Sequence, residues 1–387
     1  MLTVFDLVVF FFFALAQWRI SRIWRERADR WPADRRTAAR WGIRIFNTLL
    51  FVGCLFTFSD WMARLGWTGT AISVSGAVAL FYCLTATGAL IIHEVSRWLA
   101  RQVGGHTDSG RRRLIHTAGT ALMAAPFAAV GYGMFIERLD LRVREIDVPL
   151  GGLPPDLQGL SILQLSDIHL SAFLSEAELT RVVDAALEFK PNLTVITGDL
   201  ISGSHDPLDA CIRQLARLKA DAGVFGCMGN HERYARVENY TAQAARRVGI
   251  EFLRHRSRPL RFGQSALNLV GVDYQSLAGK QQYLRGADRL VVPGALNVLL
   301  SHNPDVFPVA VRQGYNFVIA GHTHGGQVTV EILDRSINAA RFFTPYVYGI
   351  YRQGGAAAYV TRGIGTIVVP ARFGAPPEIT LLRLQKA

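Results

Sequence analysis

The pattern of apolar and polar positions divides the chain into two parts. The first third contains four long apolar runs: Leu2–Gln17, Ile45–Trp61, Ala71–Ile92 and Thr117–Ile136. A bilayer core needs about 20 apolar residues in a helix, so the second, third and fourth runs are predicted to cross a membrane. The first run is short and carries Asp6, which leaves two interpretations open, a span or a helix lying in the interface.

Beyond residue 136, short apolar runs alternate with amphipathic helical patterns. Helices are predicted at Ser175–Lys190, Asp206–Ala220 and Glu238–Val248. The strands predicted around them are Ile162–Leu165, Leu193–Ile196, Val224–Met228, Leu296–Leu300 and Phe317–Ala320. This alternation predicts a sheet with helices on its faces.

Two further segments indicate strands without helical partners. Arg261–Val272 alternates apolar and polar residues, and Phe342–Leu384 is strand-like with frequent glycine. The pattern therefore predicts an α/β domain with a β-rich C-terminal half. Three regions follow: a membrane region at 1–136 with three to four transmembrane helices, a linker with an edge strand at 137–159, and a catalytic domain at 160–387.

The formal net charge of +12 is concentrated in the first third, in two arginine-rich segments. One segment is 18–41 and the other is 94–115, whereas the loop between the second and third apolar runs has only Arg64. Because arginine-rich loops stay on the cytoplasmic side, a multi-pass inner-membrane protein is predicted, with its C-terminal domain outside the cytoplasm. The C-terminal half shows no basic stripe, so no nucleic-acid partner is expected.

The triplet Arg111-Arg112-Arg113 has two interpretations. Twin arginines before an alanine-rich apolar segment are typical of an export signal for proteins that acquire metal before export. A stop-transfer cluster is the simpler interpretation and is favoured.

Metal-binding residue types follow each of the five predicted strands. The five clusters are Asp167-Ile168-His169, Gly198-Asp199, Gly229-Asn230-His231-Glu232, His302 and Gly321-His322-Thr323-His324-Gly325-Gly326-Gln327. In an α/β sheet, ligands bind at the carboxyl ends of strands, so the five clusters should converge on one site.

This set resembles the calcineurin-like metallophosphoesterase family, whose pattern is D-x-H, G-D, G-N-H-D/E, a lone H and G-H-x-H. The last block, GHTHGGQ, is similar to that of a membrane-associated bacterial branch, as are the stretches 361–365, 372–374 and 377–379. The resemblance covers roughly residues 155–380. It implies a four-layer α/β/β/α sandwich and two divalent metal ions, which activate a shared water and clamp the phosphoryl group.

The resemblance also implies a role for each residue. Asp199 would bridge the two ions, and His231 would act on the phosphate or the leaving oxygen. Asp167, His169 and His324 would complete the first metal site, and Asn230, His302 and His322 the second. Nitrogen and oxygen ligands suit Mn, Fe or Zn without selecting among them. Arg362 and Arg372 are either substrate-phosphate ligands or surface cations.

The expected function is hydrolysis of a phosphate ester, diester or pyrophosphate bond in an envelope or lipid-linked substrate at the bilayer. One alternative is a UDP-2,3-diacylglucosamine-type pyrophosphate hydrolase at the cytoplasmic face. The other is a non-catalytic membrane scaffold or sensor. Cys211 and Cys227 could pair in an oxidising compartment, although a buried free thiol is favoured for Cys227.

Overall fold

The computed structural model describes residues 4–58, 70–102, 109–332 and 335–387. The chain divides into two compact units, Met1–Ile136 and Glu137–Ile367 with Ala371–Ala387. The first unit is helical and the second is a mixed α/β structure.

The described part of the first unit consists of the helices α1 (Val4–Ala28), α2 (Ala33–Phe58), α3 (Thr70–Gln102) and α4 (Ser109–Phe135). The described residues of the four predicted apolar runs, except Ile136, lie on these helices, but the helices extend well into the arginine-rich segments that were expected to be loops. The predicted loop around Arg64 lies outside the described residues.

Within the described ranges, one helical stretch is long and apolar enough to cross a bilayer, Val74–Trp98 in α3. That result rests on length and composition alone. The prediction of three to four transmembrane helices is therefore not confirmed by the structure.

A polar cluster lies inside the helical unit. Gln17 Nε2 donates to Asn47 Oδ1 at 2.8 Å, and Asn47 Nδ2 donates to Ser21 Oγ at 3.0 Å. Tyr82 Oη donates to Gln17 Oε1 at 3.2 Å. Towards the C-terminal ends of α1 and α3, Arg19 pairs with Glu94 at 2.7 Å. The two arginine-rich segments therefore meet at one end of the helical unit.

The second unit contains two six-stranded sheets. The first has the order β1-β14-β2-β3-β4-β5. Its strands are β1 (Arg142–Leu150), β2 (Ser161–Leu165), β3 (Leu193–Ile196), β4 (Val224–Gly226), β5 (Ile250–Phe252) and β14 (Glu378–Lys386). Strands β2 to β5 are parallel, and β14 runs antiparallel to β2.

The second sheet has the order β12-β13-β9-β8-β7-β6. Its strands are β6 (Arg256–Phe262), β7 (Ser265–Gly271), β8 (Leu296–Leu300), β9 (Phe317–Ala320), β12 (Gly349–Gln353) and β13 (Ala356–Val360). A separate hairpin pairs β10 (Thr329–Ile332) with β11 (Arg335–Asn338). The segment Arg261–Val272, predicted as strand, contains the end of β6 and the whole of β7, and Gly263, at φ 58°, turns the chain between them.

Three apolar clusters hold the layers together. The middle cluster joins side chains of both sheets, such as Ile162 and Val195 with Val298 and Ile319. The outer face of the first sheet is covered by α5 (Glu176–Leu187), α6 (Leu208–Leu215) and α8 (Glu238–Arg247), while the short α7 (Asn230–Ala235) follows β4. The outer face of the second sheet packs against α9 (Phe307–Gln313) and short 3₁₀ turns. Central strands buried on both faces need no alternation, which explains their continuous apolar runs.

Candidate metal centre

The five predicted clusters converge. Three follow strands of the first sheet, and two follow the adjacent β8 and β9 of the second sheet. His302 Nε2 lies 3.0 Å from Asp199 Oδ2 and 3.1 Å from Asn230 Oδ1. His324 Nε2 lies 3.4 Å from Asp167 Oδ1, and His169 Nε2 lies 3.5 Å from Asp199 Oδ2. All seven predicted ligands therefore belong to one constellation with Asp199 at its middle.

Three sets of side chains in this constellation are close enough together to hold a metal ion. Asp167, His169 and His324 form one set with ligand atoms within 4.8 Å of one another, and Asp199, His302 and His322 form another. A third set joins His169, Asp199 and His231. The first two sets contain residues predicted for separate metal ions, and the third places His231 within the same distance of His169 and Asp199.

The backbone at the centre is unusual. Asp167, His169, Asp199, His322 and His324 all have left-handed φ angles, between 49° and 75°. Such angles are costly for residues other than glycine and cluster at functional sites, where the surrounding structure holds them. Gly229 allows a close approach here, because a side chain at this position would overlap the Asp199 carboxylate.

Hydrogen bonds tie the loops of the two sheets together at the centre. His302 Nδ1 donates to the Thr197 carbonyl oxygen at 2.7 Å, which directs Nε2 towards Asp199. The backbone N–H of His322 donates to Asp167 Oδ1 at 2.9 Å. Below them, Gln164 Nε2 donates to the Ala320 carbonyl oxygen and to Thr197 Oγ1, both at 2.9 Å. The ligand positions are therefore set by the packing of one sheet on the other.

The donor set fits metal ions. His169 Nε2 and His324 Nδ1 are buried and make no hydrogen bond within the described ranges. Buried imidazole nitrogens are normally hydrogen-bonded, so two without a partner beside two buried carboxylates indicate that a cation is the missing partner. Mixed imidazole, amide and carboxylate donors suit borderline divalent metals.

Burial controls the protonation of these groups. It lowers the pKa of His169 and of His322 to about 3, which keeps both imidazoles neutral as metal binding requires. Burial also lowers the pKa of His302, but Asp199 and Asp167 outweigh it and raise that pKa to about 10. Burial raises the pKa of Asp167 to about 6. For Asp199 burial acts in the same direction, but the neighbouring histidines outweigh it and lower the pKa.

His231 differs from the other histidines of the centre. Its Nδ1 donates to the Ser202 carbonyl oxygen at 2.6 Å, and its backbone N–H donates to Asp199 Oδ1 at 2.9 Å. The side chain is only partly buried, and its ring centroid lies 4.7 Å from that of His169. With Nδ1 engaged, Nε2 is the nitrogen free to exchange a proton with a substrate.

Glu232 contacts backbone amides rather than the His231 ring beside it in sequence. Its carboxylate accepts the backbone N–H groups of Gly229 at 2.8 Å, Asp199 at 3.0 Å and Leu200 at 2.6 Å. Burial raises its pKa to about 7. The side chain therefore fixes the loops after β3 and β4, and the Ser202 carbonyl, rather than Glu232, orients the His231 ring.

The two arginines predicted as possible substrate-phosphate ligands differ in burial and in the groups that they contact. Arg372 is fully buried, and its guanidinium donates to the carbonyl oxygens of Arg362, Gly365 and Ala375. This placement is at odds with the predicted contact between Arg372 and substrate, because its donors already hold the loop at 362–375. Arg362 is half-buried, and its guanidinium lies over the Tyr348 ring.

Several residues of the centre were missed from the sequence. Ser166 Oγ donates to Asp167 Oδ2 at 2.6 Å, and Ser202 Oγ lies 3.1 Å from His169 Nδ1. Asp206 Oδ2 accepts the backbone N–H of Ser202 at 2.9 Å and shapes that loop. The Tyr274 ring lies 5.5 Å from that of His322. Only Asp206 had a local signal, a carboxylate four residues after Ser202 in a polar turn.

Cysteine does not contribute to the centre. Cys211 and Cys227 are buried free thiols, as are Cys54 and Cys83 in the helical unit. The predicted alternative of a Cys211–Cys227 pair is therefore not seen.

Known proteins share these features. Residues 160–326 match the family described as Calcineurin-like phosphoesterase. A zebrafish (Danio rerio) protein named "Transmembrane protein with metallophosphoesterase domain" is 29% identical over 358 residues, covering 86% of this chain and 77% of its own length. The "Uncharacterized metallophosphoesterase YkuE" of Bacillus subtilis (strain 168) is 29% identical, covering 71% of this chain and 97% of its own length.

A third relative is the "Phosphodiesterase YaeI" of Escherichia coli (strain K12). It is 28% identical over 231 residues, covering 58% of this chain and 81% of its own length. Together with the family match and the cluster of histidines and carboxylates, these relatives decide the class. The chain therefore carries a calcineurin-like metallophosphoesterase domain and is a metal-dependent phosphoester hydrolase.

Proposed function

We propose that the chain is a membrane-anchored phosphodiesterase or pyrophosphatase with a dinuclear centre, acting on an envelope or lipid-linked substrate. In this proposal Asp199 would contribute to both of two divalent-ion sites. Asp167, His169 and His324 would hold the first ion, and Asn230, His302 and His322 would hold the second. The observation that carries the proposal is the pair of buried imidazole nitrogens without partners beside two buried carboxylates. Mn, Fe and Zn all suit these donors.

The bound ions would neutralise charge on the phosphoryl oxygens and lower the pKa of water. The chain's own residues would do the rest. Asp199, held by the backbone N–H of His231, keeps the two halves of the centre together. His231 Nδ1 stays bonded to the Ser202 carbonyl, so Nε2 is aimed to bind the phosphoryl group or to protonate the leaving oxygen.

Glu232 supports this arrangement without touching substrate. It holds the amides of Gly229, Asp199 and Leu200, so the loops carrying Asp199 and Asn230 keep a fixed spacing. Preorganised ligands lose little entropy on binding metal and substrate.

Membrane attachment through the helical unit is part of the proposal. Val74–Trp98 supports it, as does the relative named a transmembrane protein. The alignment with that relative covers 86% of the chain, more than residues 137–387 make up, so it extends into the helical unit. We propose a multi-pass inner-membrane protein of the branch with the GHTHGGQ block, with the arginine-rich end cytoplasmic and the domain at 160–387 outside.

A fusion reporter tests the membrane face. Alkaline phosphatase and green fluorescent protein would be fused after Ala387 in separate strains. We expect phosphatase activity without fluorescence. The reverse result would place the metal centre in the cytoplasm and favour hydrolysis of a cytoplasmic-face nucleotide-lipid pyrophosphate.

The activity is tested on the full chain purified in detergent. It would be assayed with Mn²⁺, Fe²⁺ or Zn²⁺ on bis-p-nitrophenyl phosphate and on p-nitrophenyl phosphate. We expect metal-dependent turnover, faster on the diester, that EDTA abolishes. A folded protein that turns over neither compound with any of the three metals would overturn the proposal in favour of a scaffold.

A further inference from the structure

Arg362 lies on a segment that is bonded to the loops of the metal centre. The segment that follows it is bonded to the Asp167 loop, since Ile364 and Gly365 donate their backbone N–H groups to the carbonyl oxygens of Ser166 and Asp167. The Arg362 stem packs on the turn after His324, because a Cβ at Gly325 would lie 2.6 Å from Arg362 Cγ. Within the described ranges, no carboxylate oxygen lies within 4 Å of the Arg362 guanidinium nitrogens. That excludes an ion pair with Asp167 or Asp199.

An aromatic platform holds the guanidinium. Its central carbon lies 4.0 Å from the centre of the Tyr348 ring. Stacking of this kind fixes the plane of the group while leaving its N–H donors available. Arg144 approaches the same ring, with its guanidinium carbon at 5.9 Å from the ring centre. Two cations therefore flank one half-buried tyrosine.

A single carboxylate, that of Glu378, lies close to one of these two cations. Glu378 is buried, and its Oε2 lies 3.6 Å from Arg144 Nε. Its Oε1 accepts hydrogen bonds from Tyr359 Oη and Thr361 Oγ1, both at 2.9 Å. Glu378 therefore neutralises Arg144 and stays anchored in the core, which leaves one positive charge on Arg362.

We propose that Arg362, held on Tyr348 with Arg144 beside it, forms a subsite for a second anionic group of the substrate. This group is distinct from the phosphate that is hydrolysed. The inference rests on the proposed function, because it places the subsite next to the same centre. A planar guanidinium binds phosphate bidentately, so the ligand class is a phosphate or pyrophosphate oxygen cluster on the substrate.

The test uses two nucleotides that differ only by one phosphate. These are thymidine 5′-(4-nitrophenyl phosphate) and its 3′-phosphorylated counterpart, both assayed with full-chain protein. We expect the extra phosphate to raise kcat/KM by about ten- to a hundredfold. This range corresponds to the roughly 1.5–3 kcal/mol that a hydrogen bond between charged groups contributes. Arg362→Met, which keeps the stem against Gly325, should bring that ratio close to one.

Other variants separate position from charge. Arg362→Lys keeps the charge but loses the planar fork, so it should keep only part of the preference. Tyr348→Leu should also weaken it, whereas Tyr348→Phe should preserve it. Arg352→Met removes an exposed arginine from β12 and should leave the ratio unchanged. An equal ratio for wild type and Arg362→Met, or an equal fall in Arg352→Met, would overturn the subsite.

A binding measurement keeps the subsite separate from turnover. Equilibrium dialysis of EDTA-treated protein would compare thymidine 3′,5′-bisphosphate with thymidine 5′-phosphate. We expect tighter binding of the bisphosphate in the wild type and no difference in Arg362→Met. Arg362-dependent binding of the bisphosphate by a protein without turnover would contradict the proposed function but support the subsite. Equal binding of the two nucleotides by the wild type would contradict the subsite.

Discussion

One polar cluster in the interior of the helical unit, formed by Gln17, Ser21, Asn47 and Tyr82, hydrogen-bonds within itself, whereas the polar groups at the metal centre do not complete such a set. Gln17, Ser21, Asn47 and Tyr82 supply both donors and acceptors for their cluster. His169 and His324 each keep a buried nitrogen with no hydrogen-bond partner in the part of the chain that the structure describes. A cluster whose donors and acceptors are all paired holds helices together. A cluster with unpaired buried nitrogens needs a partner from outside the chain.

The electrostatics of the two regions differ in the same way. In the helical unit Arg19 meets Glu94 directly, and Asp29 pairs with Arg40. At the metal centre Asp167 and Asp199 are buried with histidines around them, and neither carboxylate has an arginine or lysine within 4 Å in the described ranges. The two ion pairs of the helical unit neutralise their own charges, whereas the buried carboxylates of the centre would be balanced by divalent cations.

The largest expected effect comes from removing the central carboxylate. Asp199→Asn should lower kcat on bis-p-nitrophenyl phosphate by about a thousandfold, comparable to the loss of a main electrostatic stabiliser of the transition state. It should also lower metal content, measured by inductively coupled plasma mass spectrometry. Asp209→Asn, at an exposed residue of α6, is the matched control. Retention of more than a tenth of the activity would contradict the bridging role.

The next effect separates catalysis from metal binding. His231→Ala should reduce kcat by about a hundred- to ten-thousandfold, the usual worth of a general acid or base. Metal content should stay unchanged, because His231 Nδ1 is engaged by the Ser202 carbonyl oxygen and two other sets of possible ligands do not include His231. Loss of one metal ion from this variant would show that His231 is a ligand.

A third change acts on stability. Glu232→Gln places an amide N–H₂ against backbone N–H donors, so it should destabilise the α/β unit by roughly 3 kcal/mol. The measurement is the Tm by intrinsic fluorescence. Glu178→Gln is the control. Glu178 completes a helix-capping box on α5, and loss of such a cap lowers the free energy of unfolding by about 1 kcal/mol. Equal Tm values for the two variants would show that the loops do not depend on Glu232.

The smallest effect is expected in the helical unit. Asn47→Leu removes one member of the closed cluster and should cost about 0.6–2 kcal/mol, without changing kcat/KM. The double variant Gln17→Leu/Asn47→Leu should cost more than the single one, because Tyr82 Oη then also loses its acceptor. Thermal unfolding in detergent and the diesterase assay check both points. A tenfold fall in kcat/KM would contradict this expectation, because it would show that the polar cluster of the helical unit affects the metal centre.

Much of the metal centre could be predicted from the sequence alone. Short apolar runs followed by Asp, Asn and His predicted both the strands and the edge at which their side chains meet, because parallel strands present their carboxyl ends together. Glu232 and Arg372 could not be interpreted in that way. The neighbour of Glu232 in sequence is His231, but its hydrogen-bond partners are backbone amides on two loops.

The sequence by itself determined the residue types, their order and the period of each element, since hydrophobic periodicity is a local property. Only the tertiary structure decided which atoms stay unpaired, where Arg362 points and why Arg372 is buried. The left-handed backbone at Asp167, His169, Asp199, His322 and His324 also has no local cause. It is imposed by contacts between the two sheets that join residues distant in the chain, such as that of His302 with Thr197, 105 positions apart.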